Sequence, residues 1–174
     1  MNYINDIQLK ENNGYNVIIE IPKGTKSKLE LVDETFDKVI EVRKMLYKYP
    51  FYYGCFPQTY AADKDPLDAI ILSNKKFKSL DIVNVQPIAV VKTIDKNEID
   101  DKVICVLKDE NINTQKYLNK VINFLTIYKG KNSKTTIDPN LYDINEALKV
   151  IEETNKFYNR NISKKQHSRL KVVF

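Results

Sequence analysis

Three carboxylates within six residues bracket a proline and run straight into an apolar stretch: Asp63-Lys-Asp65-Pro-Leu-Asp68, then Ala69-Ile-Ile-Leu72. Proline fixes its own φ and restricts the residue before it, so the acids are expected on a turn that opens a strand. Packing three negative charges together costs free energy unless cations sit among them. Two readings stand: an acidic turn facing water, or a site for hard divalent ions such as Mg2+ or Mn2+, which take oxygen ligands of this kind. A twelve-residue calcium loop is excluded. Counted from Asp63, its glycine position holds Asp68 and its closing glutamate position holds Asn74.

A chain of 174 residues suits one well-cored domain, and a single domain over 1–174 is expected. Cys55 and Cys105 stand apart in apolar surroundings and His167 has no neighbouring ligand set, which argues against zinc and for packed thiols in a reducing compartment. The amino-terminal residues are polar and no run approaches the ~20 apolar residues of a membrane span, so a cytoplasmic location is expected. The formal charge of +5 and pI near 9.0 point to an anionic partner. Lysines are spread along the chain, whereas the acids gather at Glu20, Glu30, 63–68 and 95–101. Concentrated carboxylates in a basic protein fit phosphate chemistry with metal ions between the two.

Tyr15 to Ile21 alternates as a strand, and after the turn Pro22-Lys-Gly-Thr25 the segment Lys28 to Val32 alternates again. A hairpin of these two would carry Lys28, Glu30 and possibly Glu20 on one face. Val39 to Val42 continues the β pattern into the aromatic, basic stretch from Arg43 to Tyr60, which reads as core packing or as a stacking platform for nucleic acid. Val83 to Thr93 is a long strand whose Pro87 predicts an edge or a bulge, and Val103 to Leu107 another strand. Leu118, Val121, Ile122 and Leu125 predict a helix from Thr114 to Lys129 closed by Gly130. A second helix should start at Asp143 with a Glu146 capping box and bury Ile144, Leu148, Ile151 and Phe157.

Taken together, Glu20-Ile-Pro22, Lys28-Leu-Glu30, Tyr53-Gly54, Phe56-Pro-Gln-Thr59, Asp63-x-Asp65-Pro-x-Asp68, 95–102 and Tyr128-Lys129 resemble, in order and spacing, the soluble family I inorganic pyrophosphatases. The resemblance implies an α+β, mainly β fold, a five-stranded OB-like closed β-barrel flanked by two or more helices. It implies hydrolysis of pyrophosphate to two phosphates with several Mg2+ ions per site, Mn2+ being an alternative. Carried over by position, Asp63, Asp65, Asp68, Asp95 and Asp100 resemble the metal carboxylates, and Glu20 and Glu30 supporting acids. Lys28, Arg43, Tyr53, Lys102, Tyr128 and Lys129 resemble the groups that hold phosphate, and Tyr49 a tyrosine lining the site. The stretch between Arg43 and Tyr53 is about two residues short, which leaves Lys44 and Lys48 as alternatives to Arg43. The tryptophan-bearing segment of bacterial members is absent after Lys129, and Phe56-Pro-Gln-Thr59 is similar to the eukaryotic form.

Hydrolysing a phosphoanhydride demands charge neutralisation, in-line positioning and a hydroxide formed near neutral pH. Asp65, central in the cluster, is the expected proton acceptor. The expected partners are pyrophosphate and further copies of the chain, with neither membrane nor nucleic acid. The competing reading is a basic OB-like module for single-stranded nucleic acid, which would need a groove free of clustered carboxylates.

Overall fold

The computed structural model describes residues 1–32, 35–128 and 134–170, with 163–170 by backbone alone. Ten strands and two helices follow in chain order among these residues: β1 (Lys10–Glu11), β2 (Gly14–Ile21), β3 (Ser27–Leu31), β4 (Val39–Lys44), β5 (Tyr52–Cys55), β6 (Asp68–Leu72), β7 (Ile82–Asp95), β8 (Glu98–Ile99), β9 (Lys102–Leu107), α1 (Thr114–Ile127), β10 (Thr135–Tyr142) and α2 (Ile144–Leu170). Strand pairing runs β2-β5-β6-β9-β7, and β7 pairs back onto β2, so five strands close a ring. This is the OB-like closed barrel the resemblance implied.

Closure explains why these strands are apolar on both faces. Val17, Ile19, Ala69, Ile71, Val85, Val90, Val103 and Cys105 meet in one core with Ala147, Val150 and Ile151 of α2. Their sequence neighbours Ile70, Leu72, Val91 and Ile104 point the other way, into a second core completed by Val121, Phe124 and Leu125 of α1. Gly54 is required where β5 crosses β2, because a Cβ there would lie 2.0 Å from the carbonyl oxygen of Ile18.

Pro87 marks a bulge, with the β7–β9 register shifting between Pro87 and Ala89, but β7 is the most heavily paired strand rather than an edge. The bulge absorbs the missing donor. The hairpin expected between Tyr15–Ile21 and Lys28–Val32 does not form: β3 pairs with β4 as a separate two-stranded sheet. What joins β3 to the ring is a side chain, since Glu20 Oε1 accepts the Leu31 N–H at 2.9 Å. Residues 135–142 carry no strand pattern, interrupted as they are by Asp138-Pro139-Asn140, yet they form β10 against β7 with a register shift between Ile137 and Leu141.

The first helix begins at Thr114, capped by Asn113, and buries Val121, Phe124 and Leu125; its expected end at Lys129 and Gly130 lies outside the described residues. In α2 the buried stripe is Ala147, Val150, Ile151 and Tyr158, while Ile144 and Phe157 are exposed and Leu148 is half-buried, so the stripe is rotated from the expected one. The Asp143 carboxylate caps the helix by accepting from the Glu146 N–H at 3.1 Å, but the Glu146 side chain pairs with Lys92. No helix among the described residues is long and apolar enough to cross a membrane.

Candidate active site

A cavity of about 370 Å3 is framed by the starts of β6 and β9, the end of β7, β3, and Tyr128 after α1. Glu20, Glu30, Asp63, Asp65, Asp68, Asp95, Glu98, Asp100 and Asp101 line it, against Lys28, Lys96 and Lys102. Of the residues expected from the sequence, the fold therefore gathers every acid, two lysines, Tyr53 and Tyr128. Lys129 lies outside the described residues.

The parallel pairing of β6 with β9 sets Asp68 opposite Lys102. The Lys102 ammonium, 1% exposed as a residue, donates to Asp68 Oδ2 at 2.6 Å, to the Asp100 carbonyl at 2.9 Å and to Asp100 Oδ1. Burial disfavours its charge, yet Asp68 and Asp100 outweigh that and hold it protonated, above the ordinary lysine value. The Asp68 carboxyl, which burial alone would raise, is kept below the usual carboxylate range by Lys102 and by the Tyr53 hydroxyl donating at 2.6 Å. On the facing sheet Lys28 pairs with Glu30. Glu20 is the opposite case: burial pushes its carboxyl up to about 8, with Asp68 and Glu30 adding to the effect.

The acidic loop is held from beneath. Thr59, fully buried, donates to the Phe56 carbonyl at 2.7 Å and accepts from the Leu67 N–H at 2.9 Å. Within the loop Asp63 Oδ1 accepts the Asp65 N–H at 3.0 Å, and Asp65 returns its carbonyl to the Ala61 N–H at 2.8 Å. These bonds explain the Phe56-Pro-Gln-Thr59 motif, for which the sequence offered no role. At the other side Asp95 accepts from the Thr135 hydroxyl at 2.6 Å.

Arg43 does not line the cavity. It is exposed on β4, opposite Lys28 in the β3–β4 register, and neither Lys44 nor Lys48 replaces it in the lining. Tyr49 is also outside the lining, buried with its ring 5.8 Å from Tyr53 and 5.1 Å from Phe124, so it backs Tyr53. Asp101, Lys96 and Glu98 line the cavity although the sequence did not single them out. Alternation could not have flagged them, since residues 95, 96, 98, 100, 101 and 102 all line the cavity; the acidic run itself was the only signal.

Among the described residues no three acids converge as a ready ligand shell; ammonium groups lie between them instead. The donor set nevertheless fits hard divalent ions, being carboxylate oxygens in excess over lysines. A soft metal does not fit. Cys55, the one sulfur in the lining, is driven far up in pKa by burial and by the nearby acids.

The sequence of residues 17–159 matches the family described as Inorganic pyrophosphatase. The chain belongs to the inorganic pyrophosphatase family. An inorganic pyrophosphatase of Methanosarcina mazei is 34% identical over 154 residues, 82% of this chain and 90% of that protein. Among solved structures, the Plasmodium falciparum type I inorganic pyrophosphatase aligns with a TM-score of 0.85 at 26% identity, covering 97% of this chain and 68% of the other. That of Neisseria gonorrhoeae aligns at 0.80 and 25% identity, covering 90% and 99%. This pyrophosphatase is a hydrolase of pyrophosphate, of a metal-dependent family. The nucleic-acid reading gains no support: Tyr49, Phe51, Tyr52 and Tyr53 are core residues, and the basic OB-like ring opens on acids.

Proposed function

We propose that the acidic cavity is the catalytic site, that its ions are Mg2+ with Mn2+ as a substitute, and that Asp65 accepts the proton of the attacking water. The observation that carries this is a buried ammonium, Lys102, held between Asp68 and Asp100 in a cavity otherwise dominated by carboxylates. Asp63, Asp65, Asp68, Asp95 and Asp100 would hold the ions, with Glu20 and Glu30 supporting. When bound, such ions neutralise the phosphates and lower the pKa of bound water toward ~7. Lys28, Lys102, Tyr53 and Tyr128 face the same space and would hold phosphate oxygens, with Lys129 following Tyr128 and Arg43 the next cation out from Lys28. Asp65 lines the cavity and is exposed there, within reach of solvent, which favours Asp65 as the base.

The same reading makes the enzyme a cytoplasmic homo-oligomer built as one domain over 1–174. Exposed Ile94 and Ile99, paired across β7 and β8, and Leu141 on β10 support a subunit contact, which light scattering tests. The direct test of function is phosphate release from pyrophosphate. Turnover is expected with Mg2+ or Mn2+, little with Ca2+ because its longer, looser coordination misplaces the reacting oxygens, and none in excess chelator. Full turnover under chelation rejects the proposal.

A further inference from the structure

Asp101 sits between two residues assigned to the site, yet its own carboxylate is spent elsewhere. It is 7% exposed, and Oδ1 accepts the Thr93 N–H at 3.1 Å while Oδ2 receives the Lys92 ammonium at 3.1 Å. Lys92 also reaches Glu146 Oε1 in the first turn of α2 at 2.9 Å and lies 5.9 Å from the Tyr142 ring centroid. Thr93 in turn holds the Asp100 backbone from both sides: its carbonyl accepts the Asp100 N–H at 2.9 Å and its hydroxyl donates to the Asp100 carbonyl. The β7–β9 ladder ends at the Val91–Lys102 pair, so beyond it the Asp101 carboxylate takes the Thr93 N–H on the β9 side, while the other edge of β7 pairs Thr93 with Ile137 of β10.

We infer that Asp101 and Lys92 are positioning residues for pyrophosphate hydrolysis: a Glu146–Lys92–Asp101 chain of ion pairs fixes to β7 and α2 the short segment from which Asp100 and Lys102 enter the cavity. The inference rests on the assignment of Asp100 and Lys102 to the catalytic site. Physically it follows from the geometry of a strand end. Asp100 and Asp101 precede β9, and the bonds that tie Asp101 to Thr93 and Lys92 hold that segment so that the Asp100 carboxylate and the Lys102 ammonium meet at one point with Asp68. A freed Asp101 would let that point move, and misplacement by about 1 Å can cost up to 10²-fold in rate.

The test uses the full chain and measures kcat and KM for pyrophosphate, binding of non-hydrolysable imidodiphosphate by calorimetry, and thermal unfolding. Asp101→Asn keeps a carbonyl for Thr93 and drops the charge that Lys92 meets; it should lose roughly tenfold in kcat, with KM and imidodiphosphate affinity within about threefold. Lys92→Met should lose as much, and the two together no more than either, since residues in one network are not additive. The exchange Lys92→Glu with Glu146→Lys preserves an ion pair to α2 while setting a carboxylate against Asp101, and should also lose rate without loss of the folded state. Parent kcat in Asp101→Asn or in the exchange variant overturns the inference. So does a loss of rate that only tracks the unfolded fraction or falls entirely on KM. Asp100→Asn and Lys102→Met in the same assay address the site itself: parent rates in those two reject the site assignment, whatever Asp101 does.

Discussion

Residues 63–68 and 95–102 meet in the same cavity, yet the first contributes only acids among its charged lining residues and the second brings lysines of its own. Asp68 is accordingly balanced from another strand, by Lys102 across the parallel β6–β9 pairing, whereas Asp101 is balanced by Lys92 on the strand its own hairpin returns to. The difference teaches where the site is vulnerable. Charge in the first stretch is tolerated because the second supplies a counter-ion, so a change in the second should damage both, while a change at the exposed edge of the first should damage chemistry alone.

The sharpest way to break this asymmetry is Lys102→Met. It leaves Asp68 and Asp100 facing each other without their buried cation, and removing one partner of a buried pair costs about 3–5 kcal/mol. The unfolding midpoint in urea should fall accordingly, with turnover reduced on the order of 10²-fold or more. Adding Asp68→Asn should return part of the stability and none of the rate. A Lys102→Met protein as stable as its parent would contradict the cross-strand balance.

Asp65→Asn should separate chemistry from stability. Exposed substitutions of this kind change stability by less than about 0.5 kcal/mol, but loss of a general base removes ~10²–10⁴-fold in kcat at saturating Mg2+. Raising the pH should help the variant selectively, since bound water then ionises without a carboxylate, moving the acidic limb of its pH–rate profile upward. Profiles that run parallel, offset by a constant factor, would leave Asp65 as a ligand only.

How these residues come together was readable in the sequence only to a point. Short-range patterns carried the strands around Tyr15–Ile21, Val83–Thr93 and Val103–Leu107 and both helices, because burial imposes a period on neighbouring residues. Order and spacing of the motifs carried the gathered acids. What was not legible depends on tertiary partners: the β3–β4 pairing, the β10 strand hidden behind Asp138-Pro139-Asn140, and the placing of Arg43 on an exposed strand. Thr59 and Asp101 look like any polar loop residue until their partners, across a loop for the first and across a hairpin for the second, are known.

Thr59→Val therefore tests the base of the first stretch. It removes the acceptor for the buried Leu67 N–H and should cost about 1–3 kcal/mol. Turnover should fall severalfold as the acids lose their fixed spacing, an effect smaller than that of Asp65→Asn. An unchanged rate would mean that the loop is held by its own internal bonds.

The smallest effect is expected where a reactive side chain touches the cavity without serving it. Cys55 lines the site and Cys105 lies in the barrel core, both buried and free. Burial raises both thiols above the ordinary value of 9.0, so the folded enzyme should resist alkylation by iodoacetamide at pH 8 and react only after denaturation. The sign of the accompanying stability change follows. A raised folded value favours the protonated thiol, so this contribution is complete below about pH 9, the unfolded value, and is lost as pH rises beyond it. Replacing both cysteines with alanine should flatten stability above pH 9 and leave turnover within a fewfold, at some cost in packing. Rapid alkylation of native enzyme with loss of activity would instead mark Cys55 as an accessible group of the site, and the contrast between acids that work and a thiol that merely packs would have to be redrawn.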